Sequence, residues 1–212
     1  MIYDISPPIS PALKVWPGDV PPAREVQSDM QRGANLTLSA LRTTVHVGAH
    51  ADAPSHYGAG APAIDARPLD LYLGPCQVVR LPARPGESLP PAALRGLVVR
   101  APRVLFVTGT FPDPTVFNRD FAAFSPEAID RLYLQGVRLV GTDTPSIDLF
   151  DSKDLPAHNA CLRHDMAILE GLVLDRVPEG IYELIALPLR LVGYDGSPVR
   201  AILRELPPAL RT

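Results

Sequence analysis

The sequence predicts an α/β fold, a single compact domain over residues 1–212 with a mixed β-sheet core and few helices. Three observations lead there. Short runs rich in β-branched and aromatic residues recur between Gly, Pro and charged residues; one segment carries a full set of helix start and stop signals; and no fixed-period repeat or Gly/Ser linker divides the chain. The 25 prolines, about 12% of 212 residues against roughly 5% in ordinary proteins, are scattered through the chain, so its elements should be short and its loops many.

The first β-type run covers 36–47, whose Thr and Val residues and lack of a helix cap suggest one long strand leading directly into a histidine cluster. Further strands are expected at 76–81, 104–108, 137–140, 181–186 and 199–206. The clearest helix is 126–135: Ser125 can cap it, Pro126 suits its first turn, Glu127 favours its dipole, and Gly136 can take the left-handed closing position. A second helix is expected over about 156–166, and a short one after Pro90-Pro91.

Composition narrows the function classes. With 46% apolar and 20% charged residues the chain is neither disordered nor fibrous, and a net charge of −3 argues against a grip on nucleic acid. Cys76 and Cys161 lack CxxC spacing and read as core filler in a reduced, cytoplasmic protein. Met1-Ile2-Tyr3-Asp4 opens no signal sequence, and no apolar run reaches the roughly 18 residues of a membrane helix. A small-molecule substrate, with no membrane or nucleic-acid partner, is the expectation.

The chemistry concentrates in His46-Val47-Gly48-Ala49-His50-Ala51-Asp52-Ala53-Pro54-Ser55-His56-Tyr57. In an extended chain His46, His50 and Asp52 share one face, with Gly48 leaving room between them. Imidazole and carboxylate suit zinc and other divalent transition metals, and three protein ligands leave a position open for water. A helix joining His46 and His50 at i and i+4 is disfavoured by Thr43-Thr44-Val45 and Gly48. His56 lies beyond Pro54, which should redirect the chain, and reads as an acid/base group instead of a ligand.

The second half adds His158, His164 and Glu170. Glu170 sits inside an apolar run, where a carboxylate needs a partner; a metal ligand and a surface residue at a strand end are equal readings. His158 and His164, six residues apart, point to roughly opposite sides of a helix, so at most one joins the site. Asp143, Asp148, Asp151 and Asp154 lack calcium-loop spacing and read as a solvated acidic loop. No GxSxG nucleophile elbow is present.

The stretch 46–56 resembles the HxGTHxDxPxH signature of the metal-dependent cyclase family, which includes bacterial kynurenine formamidases and isatin hydrolases; Ala49 stands where the pattern has Thr. The segments 15–19 (VWPGD), 141–148 (GTDTPSID), 152–158 (SKDLPAH), 168–172 (ILEGL) and 187–189 (LPL) extend the likeness along nearly the whole chain, nearest to the kynurenine formamidases. The resemblance implies a swivelling β/β/α-type domain, commonly oligomeric, with two divalent metal ions. Zinc fits mixed His and carboxylate ligation best, and manganese, cobalt or iron also match it.

By that resemblance His46, His50 and Asp52 bind one metal, His158 binds a second, Asp52 and Glu170 touch both, His56 is the general acid/base, and Trp16 contacts substrate through its indole, a core tryptophan being the other reading. His164 matches no metal position and is left structural. The reaction implied is hydrolysis of N-formyl-L-kynurenine to L-kynurenine and formate, with a relative acting on another aryl or cyclic amide such as isatin, or a noncatalytic metal-binding module, as rivals.

Overall fold

A computed structural model describes residues 1–206. Its strands are β1 (Ile2–Asp4), β2 (Ala23–Ser28), β3 (Leu38–Arg42), β4 (His50–Asp52), β5 (Leu73–Arg80), β6 (Ser88–Leu89), β7 (Arg103–Val107), β8 (Ala123–Phe124), β9 (Leu139–Thr142), β10 (Ala167–Glu170), β11 (Gly180–Ile185), β12 (Gly196–Pro198) and β13 (Ile202–Glu205). Two α-helices, α1 (Pro126–Leu134) and α2 (Pro156–Arg163), and short 3-10 turns complete it.

Nine strands form one mixed sheet in the order β1-β13-β11-β5-β7-β9-β10-β4-β12. Its centre, β5-β7-β9-β10, is parallel, and the flanking pairs are antiparallel. β7, β9 and β10 are buried along their whole length, as parallel strands covered on both faces must be. Alternation divides their side chains between two cores. Val104, Phe106, Val140 and Ile168 meet Ile129 and Leu132 of α1 and Ala157, Ala160 and Cys161 of α2. Leu105, Leu139 and Leu169 point the other way, into a curl closed by Ala51, Val78, Leu184 and Leu203. The curl's two ends meet where β12 leads into β13, and there Ser6 Oγ, just beyond β1, bonds both Val199 O and Ala201 O. Cys76 and Cys161 are free thiols buried in these cores, as expected.

Helix α1 begins and ends as its sequence dictates: the Ser125 side chain accepts from Ala128 N–H, and Gly136, at φ 90°, closes the turn. Helix α2 stops three residues earlier than expected, because Asp165 takes a left-handed conformation (φ 50°) and Met166 N–H bonds back to Cys161 O. The Pro90-Pro91 signal yields a 3-10 turn, Pro91–Leu94.

The expected long strand 36–47 is a correction. Pairing ends at Arg42, where β3 runs out of partner on β2; beyond it Thr44 Oγ1 accepts the His46 N–H in a local turn, and Gly48 adopts φ 59°. Among the described residues no helix is long and apolar enough to cross a membrane.

Candidate metal centre

Strands β4 and β10 pair so that His50 lies opposite Glu170, and Asp52 opposite Ile168. All four therefore project to one face, and it is the face against which Ile168 packs on α2. Ala51 and Leu169 turn into the curled core instead. The shared-face reading thus holds for His50 and Asp52. His46 arrives by a different route, the turn at Gly48, which points its ring back over the strand.

From the other side α2 delivers His158. The helix has no cap of its own, since Leu155 sits at φ 43° with no side-chain bond. Asp148 replaces it: its two carboxylate oxygens accept from Ala157 N–H and His158 N–H at 3.0 Å each, and Oδ2 also meets His158 Nδ1 at 2.7 Å. With Nδ1 so engaged, His158 presents Nε2 to the site. That nitrogen lies 3.3 Å from Asp52 Oδ2 and 3.4 Å from Glu170 Oε1. His50, whose Nδ1 is held by Gly48 O at 2.9 Å, turns its own Nε2 to Asp52 Oδ1 at 3.5 Å and Glu170 Oε2 at 3.3 Å. Each carboxylate therefore spans both histidines, one oxygen to each.

His46 Nδ1 meets Asp52 Oδ1 at 3.0 Å, and its Nε2 meets Asp195 Oδ2 at 3.0 Å. The His56 ring stands 4.1 Å from the His46 ring, with Nδ1 3.3 Å from the same Asp195 oxygen. Ligand atoms of His50, Asp52 and Glu170 lie within 4.8 Å of one another, as do those of His46, Asp52 and His56. Two sets of nitrogen and oxygen donors sharing Asp52 fit divalent transition metals.

The charges respond to this crowding. Burial opposes ionisation of Asp52, yet His158 and His46 hold its carboxyl well below the usual range. Burial and Asp52 push Glu170 up, but bonds from His158 and His50 outweigh them and its pKa is lowered. Burial would lower His46 and His158; carboxylates reverse this, Asp52 and Asp195 raising His46 to about 9, and Asp148, Asp52 and Glu170 raising His158 well above an ordinary imidazole. Protons thus occupy nitrogens that a metal would claim, and metal binding must release them.

A cavity of about 540 Å³ opens over these residues. It lies beyond the carboxyl ends of β7, β9 and β10, where open α/β sheets collect their ligands. His46, His50, His56, His158 and Glu170 line its floor, and Trp16, Phe111 and Phe117 its wall. Trp16 stacks on Phe150, ring centroids 4.8 Å apart, so the indole is half-buried between core and cavity.

The expected site residues thus come together, with Trp16 at the wall. Glu170 is buried, which removes its strand-end surface reading. His164 stays outside, stacked on Tyr133 and bonded to Asp130 at 2.8 Å. The solvated acidic loop is corrected in half: Asp148 and Asp143 are buried, Asp143 accepting from Thr108 and Gly109. Asp195 was missed altogether. Nothing in Tyr194-Asp195-Gly196 marks it, because its role depends on β12 lying beside β4.

The chain is similar over nearly its whole length to solved structures. It shares 28% identity with a "Potential Metal-Dependent Hydrolase With Cyclase Activity" (TM-score 0.84, covering 98% of this chain and 99% of that one). It shares 29% with a predicted metal-dependent hydrolase from Bacillus stearothermophilus (TM-score 0.81, 96% and 97%). Isatin hydrolase A from Labrenzia aggregata, at 24% identity, has the same fold (TM-score 0.81, 96% and 93%). Residues 3–149 match the Cyclase family model, described as "Putative cyclase". Its sequence match and its fold together make this chain a member of the Cyclase family, built on the fold of metal-dependent hydrolases.

Proposed function

We propose that this protein hydrolyses N-formyl-L-kynurenine to L-kynurenine and formate. The observation that carries a hydrolytic reading is the pair of buried carboxylates, Asp52 and Glu170, each reaching both His50 and His158 on the floor of an aromatic-walled cavity. In this reading His46, His50 and Asp52 hold one divalent ion, His158 a second, and Asp52 and Glu170 touch both; zinc is the ion proposed, with manganese the nearest alternative. Such ions, when bound, supply Lewis acidity to an amide oxygen and lower the pKa of water.

The chain's own groups do the rest. Trp16 offers an indole face to the aryl ring. His56 gives a proton to the anilide nitrogen as its bond to the formyl carbon breaks, because an unprotonated arylamide leaves badly; this contributes about 10² to 10⁴-fold. The chain works as one domain, residues 1–212, in the cytoplasm and without nucleic-acid or membrane partners. It assembles as a homodimer or higher homo-oligomer, a reading supported by the exposed Val26, Leu38 and Leu41 of the β2–β3 ribbon.

A second reading, hydrolysis of a cyclic aryl amide such as isatin, is favoured by the shared fold with isatin hydrolase A. The same floor and walls serve either ring. Turnover of N-formyl-L-kynurenine by zinc-loaded and chelator-stripped protein tests the proposal. Fast, zinc-dependent formation of kynurenine supports it. Negligible turnover with zinc bound moves the substrate to isatin or another aryl amide, and chelator-resistant turnover overturns the metal reading. His56→Ala should keep its zinc and lose turnover; full activity in that variant removes His56 from the mechanism.

A further inference from the structure

Among the described residues, Asp195 is the carboxylate that bonds both a proposed metal ligand and the proposed acid/base. A single oxygen, Oδ2, lies 3.0 Å from His46 Nε2 and 3.3 Å from His56 Nδ1. These partners are 149 and 139 residues away in sequence, so the contact is made by the fold alone. Its backbone is fixed to the same place: Asp195 O accepts the N–H of Ala53 at 2.9 Å, directly before the turn Pro54–His56 that carries the acid/base. The next residue makes the approach possible. Gly196 pairs with Asp52, and a Cβ there would lie 2.8 Å from His46 Cε1, so any larger residue would push the His46 ring away.

A carboxylate oxygen only accepts hydrogen bonds, and a neutral imidazole carries one N–H. His46 lies between two such acceptors, Nδ1 3.0 Å from Asp52 and Nε2 3.0 Å from Asp195, so the bond to Asp195 keeps a hydrogen on Nε2 whatever Nδ1 holds. The same bond places the hydrogen of His56 on Nδ1 and leaves Nε2 as its second nitrogen. Outer partners of this kind fix ring orientation and tautomer in metal sites, and an acid/base whose tautomer is wrong cannot take the proton it must later deliver.

We infer that Asp195 is a positioning residue that sets His56 in its Nδ1–H form, so that Nε2 is the nitrogen working on the substrate. The inference rests on the hydrolytic reading above and adds a residue to it. It predicts a defect in the chemical step with substrate affinity and metal content preserved.

The experiment uses the full chain, zinc-loaded, as wild type, Asp195→Ala and Asp195→Glu. Asp195 sits on a partly exposed loop, so neither variant threatens the core. Three quantities are read: zinc per chain, the side-chain nitrogen NMR spectrum of ¹⁵N-histidine protein with His56→Gln to identify the His56 signals, and kcat and KM for N-formyl-L-kynurenine. In Asp195→Ala we expect wild-type zinc content, KM within about threefold, kcat reduced about 10 to 100-fold, and the His56 signals shifted from the Nδ1–H form toward a mixture of tautomers. Asp195→Glu should recover part of the kcat and of the Nδ1–H form. An unchanged His56 spectrum in Asp195→Ala, or loss of zinc as complete as in His46→Ala, would overturn the inference. If the wild type fails to turn over the substrate, the proposed reaction falls, while the nitrogen spectrum still decides the role of Asp195.

Discussion

Glu170 and His50 are directly opposed residues on the antiparallel strands β10 and β4, and their side chains meet at 3.3 Å on the floor of the cavity. Strand pairing, more than loop conformation, therefore sets the spacing of the candidate ligands. Glu170→Gln keeps the shape and removes the charge. It should weaken zinc binding at least tenfold, about 1.4 kcal/mol, measured by competition with a chelating indicator; unchanged affinity would take Glu170 out of the ligand set.

Gly171 follows Glu170 at φ 65°, and a Cβ there would overlap the Gly48 carbonyl oxygen that holds His50 Nδ1. Gly171→Ala should cost about 2–4 kcal/mol from left-handed strain and overlap together. Urea denaturation measures the loss. Zinc affinity should fall with it, because moving Gly48 frees the His50 ring.

Acid and base should both destabilise the metal-free protein. Asp52 and Glu170 have folded pKa values below their ordinary 3.8 and 4.5, so their contribution is present above those values and is lost as pH falls. His46 and His158 are raised above 6.5, so theirs is complete below 6.5 and is lost as pH rises, through about 9 for His46. Thermal midpoints measured in chelator should peak between pH 4.5 and 6.5. Added zinc should raise the alkaline arm most, since binding displaces those protons. A midpoint that climbs from pH 6.5 to 9 without metal would contradict this assignment.

Asp148 stabilises α2 and orients His158 with the same carboxylate. Asp148→Asn leaves one buried donor without its acceptor and should cost about 1–3 kcal/mol. Urea titration reads the stability, and zinc affinity should drop because His158 can then turn.

Trp16→Ala tests the cavity wall. Loss of one aromatic contact worth about 0.5–1.5 kcal/mol raises KM roughly two to twelvefold. In steady-state kinetics kcat should change little, whereas a fall in kcat with constant KM would assign the indole to something other than ring binding.

Helix α1 was legible from its sequence because Ser125, Pro126 and Gly136 act within the segment they delimit. The strands at 76–81, 104–108 and 181–186 were legible for a similar reason, their β-branched runs being bounded by local breakers. The run 36–47 carries equal propensity and fails beyond Arg42, since a strand persists only where a neighbour receives its hydrogen bonds. Edge strands such as β12 carry too few residues to announce themselves.

For the site, the sequence alone determined the donor types and the pairing of His50 with Asp52, because a two-residue period puts both on one face of any extended chain. It also marked Glu170, since a carboxylate within an apolar run needs a partner. Tertiary structure decided which residues meet. Strand order set β10 beside β4 and β12 beside β4, bringing Glu170, Asp195 and the helix carrying His158 to one point. Contacts across more than a hundred residues, such as His158 with Asp52 and His46 with Asp195, are fixed by sheet order, which local spacing does not encode; Asp148 lies only ten residues from His158, and the loop between them hides that contact from the sequence.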